Sequence, residues 1–289
     1  MMQQQPADGH GLYEAISLWN ASTYTARLTQ MAAGGFKLVM NYNLLYTTGA
    51  NLAAYINAAA ACGMRVIVAL HEQPLWDGTA DLSSRYPDLC ASAGVHDGPG
   101  LVQYVVNLVK GLPGTWGYYV GDEVAAGYHA QLKTHADLIK ATDGAHPRLY
   151  IDGVSEAVSH AMGNSPFTDV AEVAGSDHYP IGYYPEYVLE NAAQYAATIQ
   201  AEATAHGFSP AYVCQCMDWT RYYPPARCSP YPECARFPTR AEMRQQRDLV
   251  LAHMTARILL WYSYFDLLET SDPGGHWADL IWAANDVSS

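Results

Sequence analysis

Trp116-Gly-Tyr-Tyr-Val-Gly-Asp-Glu123 is a short β-rich run that ends in two adjacent acids. A helical run over 127–142 follows it, and then Arg148-Leu-Tyr-Ile-Asp152, a second short β run ending in an acid. Strand, helix and strand in this order form one parallel crossover unit. The same rhythm extends in both directions. Toward the N-terminus, β-rich runs fall near 12–18, 36–41 and 64–70; toward the C-terminus, near 173–177, 211–216 and 258–264. Helical runs are expected over about 22–33, 51–61, 100–110, 185–206 and after Thr239, with a last helix around 277–284. Gly34-Gly35 is a helix stop, and Thr239-Arg-Ala-Glu reads as a capping box. Eight strands alternating with helices imply an α/β fold of the (β/α)₈ TIM-barrel type. We expect one domain over 1–289, with 1–10 as a loose N-terminal segment. A chain of 289 residues suits one such barrel of about 250 residues.

Composition narrows the partners. Half the residues are hydrophobic and 15% are charged, enough to bury a large core. The net charge of −13 argues against nucleic acid and against an anionic membrane surface, since both demand a basic face. No apolar run approaches the roughly 20 residues that cross a bilayer. No cofactor-binding or metal-ligand motif is read, and a monomer is expected. The chain has 22 Tyr and 7 Trp but 5 Phe. Aromatics with polar tips suit wet concave sites where sugars stack, and equally suit ordinary rim packing.

Six cysteines are present. Cys228 and Cys234 bracket a short polar loop with two prolines, a candidate disulfide staple. Cys62 with Cys90 is a second candidate bridge. Disulfides imply an oxidising compartment, so a secreted or periplasmic location is expected, although no signal peptide is visible at Met1-Met2-Gln3-Gln4-Gln5. Cys214 and Cys216 have strand spacing around Gln215 and read as buried thiols.

In a barrel of this kind the site lies at the carboxyl ends of the strands. The chain places there Asn41 and Asn43, His71, Asp122 and Glu123, Asp152, then Asp177, His178 and Tyr179. Strand seven supplies Gln215 and, just beyond it, Trp219; strand eight supplies Tyr262, Tyr264 and Asp266. Paired carboxylates are what glycoside hydrolysis requires: one protonates the leaving oxygen, the other attacks or stabilises the anomeric carbon. Glu123 is the candidate general acid; a loop-bracing acid pair is the plainer alternative. Asp122, Asp177 and Asp266 are the candidates for the second role. Asn41, Asn43, His71, His178, Tyr179, Gln215, Trp219, Tyr262 and Tyr264 are candidate sugar binders, though each has an ordinary structural reading as turn former, brace or core residue. His178 beside Asp177 could also form a general-base dyad.

The Trp116–Glu123 motif resembles the fourth-strand motif of clan-A-like barrel glycoside hydrolases. Ser176-Asp-His-Tyr-Pro-Ile-Gly, Phe237-Pro-Thr-Arg-Ala-Glu-Met-Arg and Leu260-Trp-Tyr-Ser-Tyr-Phe-Asp resemble the same group in the same order. The resemblance implies a (β/α)₈ barrel, a carbohydrate substrate and Glu123 as acid/base. It departs at strand seven, where clan A carries a nucleophilic Glu and this chain has Gln215, and at Asp122, where clan A usually has Asn. The adjacent Asp-Glu pair is also similar to family 20 glycoside hydrolases, in which the Asp orients a substrate acetamido group that attacks in place of an enzyme nucleophile.

Three schemes therefore stand: substrate assistance through Asp122, a pair of Glu123 with Asp177 or Asp266, or a carbohydrate-binding barrel without catalysis. A metal-dependent hydrolase fits less well. Barrel amidohydrolases open with His-x-His on strand one, and this chain has Trp19-Asn20 after that strand.

Overall fold

The computed structural model describes residues 5–77, 81–153, 165, 167–182, 188–219, 222 and 236–285. Eight parallel strands run β1 (His10–Glu14), β2 (Leu38–Asn41), β3 (Arg65–Ala69), β4 (Thr115–Asp122), β5 (Arg148–Asp152), β6 (Val173–Asp177), β7 (Ser209–Gln215) and β8 (Ile258–Tyr262). Each pairs with the next, and β1 pairs with β8, so the barrel closes. Nine helices lie among the described residues: α1 (Ala21–Ala33), α2 (Gly49–Ala61), α3 (Pro87–Ala93), α4 (Gly98–Val109), α5 (His129–Thr142), α6 (Asn191–His206), α7 (Arg240–His253), α8 (Tyr264–Leu267) and α9 (Pro273–Ala284). The fold is a single-domain (β/α)₈ barrel.

Local chemistry sets the boundaries. Asn20 caps α1 by accepting from the Thr23 N–H at 3.2 Å. Asp97 caps α4 through the Gly100 N–H at 2.7 Å. Thr239 and Glu242 form the reciprocal capping box that opens α7. Gly35 ends the α1 segment at φ +89°, a conformation that favours glycine. The long segment after β3 contains α3, which sequence periodicity did not reveal; Pro87 occupies its first turn, where a missing N–H costs nothing.

Three expectations change here. The strand at 258–264 ends at Tyr262, and Tyr264 opens α8. The segment expected to be loose is tied from Ala7 onward: the Ala7 and Asp8 N–H groups donate to Ala256 and Arg257 carbonyls, and the Asp8 carboxylate accepts from Trp116 and Arg257 at 2.9 Å each. Cys62 and Cys90 are free thiols, half-buried and buried respectively, so the second staple is absent. The Cys62 sulfur lies instead 3.7 Å from the Thr29 hydroxyl on α1. Cys228 and Cys234 lie outside the described residues. No described helix is long and apolar enough to cross a membrane.

Candidate active site

Asp122 closes β4, and Glu123 is the next residue. The pairing of β4 with β5 shifts register between Tyr119 and Gly121. A bulge of this kind re-aims the residues beyond it. Asp122 consequently faces the barrel interior together with Tyr119, and the Tyr119 and Tyr42 hydroxyls address its carboxyl. Glu123 takes φ +47°, a region that side-chain-bearing residues avoid. Holding a residue there costs about 1–3 kcal/mol. The Glu123 N–H still donates to the Ile151 carbonyl at 2.9 Å, which fixes the turn. Its side chain lies over Gly153, where a Cβ would sit 2.4 Å from Oε1. From that position the Glu123 carboxyl is within hydrogen-bonding reach of Asp177 at the end of β6.

The three carboxyls raise one another. Burial pushes Asp122 up to about 7; the Glu123 charge adds to the rise, while the nearby Tyr119 and Tyr42 hydroxyls oppose it. Desolvation at the rim also raises Glu123, whose side chain is otherwise exposed, while the neighbouring Asp177 opposes the rise. Asp177 is held well above the usual carboxylate range by burial first, then by the charges of Glu123 and Asp122. Three such groups cannot all ionise near neutrality. The cluster therefore retains a proton at neutral pH, as a general acid must. Glu123 and Asp177 titrate as a pair rather than as separate groups.

Tyrosines floor this cluster. Tyr13 contacts Tyr42, Tyr119 and Tyr262 with ring centroids 5.6, 6.4 and 5.2 Å away. Tyr179 packs on Tyr262 at 5.4 Å and on Trp219 at 5.9 Å. His71 lies between Tyr42 at 5.3 Å and Tyr119 at 4.8 Å. Burial lowers its pKa to about 4, so the imidazole is neutral, and its Nδ1 is buried without a hydrogen-bond partner among the described residues. A cleft of about 450 Å³ opens beside it, bounded by Trp76, Tyr128, Asp122 and Glu123.

The structure thus brings together Asp122, Glu123, Asp177, His71, Tyr179, Trp219 and Tyr262. Other candidates are engaged elsewhere. Gln215 is fully buried; its amide accepts from the Ile181 N–H at 2.8 Å and donates to the Ile181 and Met217 carbonyls at 2.8 and 3.1 Å. It pins the loop after β6 and has no group left for a sugar. Asn41 is buried, donating to the Ile16 carbonyl at 2.9 Å and accepting from Asn43 N–H at 3.0 Å, and Asn43 donates to the Ala15 carbonyl. Both lace the loops after β1 and β2. His178 points away from Asp177, as adjacent strand-end residues do, and meets Tyr195 of α6 edge-on at 4.5 Å. The Asp177–His178 dyad is not formed. Tyr264 is buried against Trp277 and donates to Gln30 at 2.7 Å, on the helix side of the barrel. Asp266 accepts from Tyr222 at 2.6 Å and from Ser263, bracing the loop after β8.

Sequence reading did not single out Tyr13, Tyr119, Gly153, Arg85 or Tyr128. Strand alternation would have placed Tyr13 and Tyr119 on one face, but the phase that marks the interior depends on register. Nothing in the sequence marks Gly153 as the seat of Glu123. Among the described residues no three His, Cys, Asp or Glu side chains are placed to hold a metal ion.

Fold and site together define a barrel with an acidic, tyrosine-lined mouth, and comparison with known proteins agrees on the fold. No family model and no curated protein matches the sequence. Solved structures do match. A protein named provisionally as an alpha-L-fucosidase, from Bacteroides thetaiotaomicron VPI-5482, superposes with a TM-score of 0.69 at 13% identity over 100% of this chain and 96% of its own. The endo-beta-1,4-mannanase of Thermotoga petrophila gives 0.59 at 12% identity over 98% of this chain and 77% of its own. A family 2 beta-galacturonidase from Eisenbergiella tayi, with galacturonate bound, gives 0.65 at 12% identity over 99% of this chain and 52% of its own. At such identities the likeness is one of fold.

Proposed function

We propose that the chain is a glycoside hydrolase in which Glu123 is the general acid/base. The observation that carries this reading is the contact of the Glu123 and Asp177 carboxyls with Asp122 beside them, all three raised in pKa at the mouth of the barrel. The glycosidase names of the solved neighbours agree with it, and the carbohydrate substrate follows from the same reading. Retaining and inverting hydrolysis use carboxyl separations of about 5–5.5 Å and 6.5–9.5 Å. In the proposed scheme Glu123 gives its proton to the glycosidic oxygen as the bond to the anomeric carbon breaks. Water then adds at that carbon and returns a proton to Glu123.

Strand seven provides no nucleophile, because the Gln215 amide is engaged by backbone. The negative charge that offsets the oxocarbenium ion falls to Asp122 or Asp177. In the assisted scheme Asp122, interior-facing beside Tyr119 and Tyr42, would orient a substrate acetamido group. Asp266 is excluded from our scheme by its bonds to Tyr222 and Ser263. Hydrolysis of aryl β- and α-glycosides, with and without a 2-acetamido group, tests the reading. Cleavage of an acetamido sugar alone supports assistance through Asp122; cleavage of plain hexosides assigns the second role to a carboxylate acting directly. Binding without turnover by the intact protein would instead favour the carbohydrate-binding barrel, for which the engaged Gln215 is the specific argument. A location outside the cytoplasm now rests on Cys228 and Cys234 alone.

A further inference from the structure

The large apolar side chains exposed among the described residues are Trp19, Tyr46, Tyr128, Val188 and Tyr222, between 39% and 57% accessible. Every one of them follows the carboxyl end of a strand: β1, β2, β4, β6 and β7 respectively. None lies on the outer faces of the helices or at the opposite end of the barrel. Scattered exposed apolar residues need no explanation, but confinement to one rim does.

The aromatic ones are held in place. The Trp19 indole N–H donates to the Tyr46 carbonyl at 3.2 Å. The Tyr46 ring meets Tyr86 at 5.1 Å, and its hydroxyl donates to Glu72. Tyr128 stands edge-on to Trp76 at 5.6 Å, and Trp76 donates to the His71 carbonyl at 3.0 Å. The cleft of about 450 Å³ lies between the segments after β3 and β4 and begins at Asp122 and Glu123; the Tyr46 hydroxyl reaches its edge through Glu72. Clefts of about 300–1,000 Å³ take ligands well larger than one sugar ring. Its outer wall is the Arg85–Glu72 ion pair, two opposite charges that satisfy each other and leave the wall without net charge.

We infer that this cleft is a second sugar subsite, on the leaving-group side of the scissile bond, and that the substrate is an uncharged oligosaccharide or polysaccharide rather than a small glycoside. The inference rests on the reading of Glu123 as acid, since the acid faces the leaving oxygen and the cleft adjoins it. Tyr128, exposed and backed by the buried Trp76, offers a stacking face to the apolar side of a pyranose ring. The neutral His71, with its unpartnered Nδ1, offers one hydrogen bond at the inner end. Tyr46 and Trp19 extend the aromatic track outward for further rings.

Calorimetry on the Glu123→Gln protein tests this with free gluco-, manno- and galacto-oligosaccharides of one to four rings. At least one series is expected to gain tenfold or more in affinity between one ring and three. Tyr128→Ala is expected to remove fivefold or more of that gain, and Trp19→Ala, at an exposed position, to weaken the four-ring ligand further. Affinity independent of chain length, no binding in any series, or a gain untouched by both substitutions would overturn the inference. Length-dependent binding with no hydrolysis by the unsubstituted protein would retain the cleft and overturn the acid assignment. Hydrolysis of one-ring aryl glycosides without any length preference would do the reverse.

Discussion

Gly153 is the seat of Glu123: a methyl group on its Cα would lie 2.4 Å from the Glu123 Oε1 and 2.8 Å from its Cδ. The catalytic candidate is thus positioned by a hydrogen atom on the neighbouring strand end. Gly153→Ala forces the Glu123 carboxyl to move while leaving its chemistry intact. A displacement of about 1 Å can cost on the order of 100-fold in rate. We expect kcat to fall 10- to 100-fold, with the melting temperature changed by little. Unchanged kcat would show that Glu123 does not act from this position.

Asp122 is expected to report its burial through stability. Its folded pKa of about 7 lies above the ordinary value of 3.8. A raised pKa means that the folded state binds the proton more tightly than the unfolded chain. That stabilisation is complete below about pH 4 and is lost as pH rises through about 7. Asp122→Asn removes the ionisation. It should stabilise the protein at pH 8 by about 1–2 kcal/mol, allowing for partial exposure, and the difference should fade toward pH 4. Melting curves at both pH values check the sign; a variant less stable at pH 8 than at pH 4, relative to the native protein, contradicts it.

Gln215→Glu introduces on strand seven the residue type of the clan A enzymes that the sequence resembles, yet no gain of activity is expected. The new carboxylate would face the Ile181 and Met217 carbonyls in a fully buried site. Unpaired buried charge of this kind typically costs about 3–5 kcal/mol. A clear drop in melting temperature with no rise in kcat is the expected result. A rise in kcat would show that residue 215 can turn into the mouth.

The pH dependence of turnover should descend later than that of an ordinary carboxylic acid. Burial raises both Glu123 and Asp177. The proton needed for leaving-group departure therefore stays in place above the usual carboxylate range, and the basic limb of kcat against pH should fall at higher pH than for an ordinary carboxylic acid. Asp177→Asn removes one member of the shared proton pair and should shift that limb. A limb that ignores Asp177 would separate it from the chemistry.

The barrel was readable because strands and helices alternate without interruption, and because Arg148–Asp152 and Val173–Asp177 carry their strand character in five residues each. Asp122, Glu123 and Asp177 were readable as chemistry because acids at strand ends need a reason. Orientation was not readable. Asn41, His178 and Tyr264 sit at the expected end of the barrel but face the helices, since one residue of phase reverses every side chain. The bulge after Tyr119 changes that phase within β4 itself, so that Asp122 shares the interior face with Tyr119. Spacing suggested Cys62 and Cys90 as partners, but spacing carries no information on where two thiols point.

The account stands on Glu123 as the group that protonates the leaving oxygen. Its most direct test is the hydrolysis of paired glycosides, one with a good phenolic leaving group and one with a poor alkyl or sugar leaving group, by the native protein and by Glu123→Gln. General-acid catalysis contributes about 10²–10⁴-fold. The account predicts a loss of that size for the poor leaving group and a much smaller loss for the good one. Equal rates for native and substituted protein on the poor leaving group would contradict it.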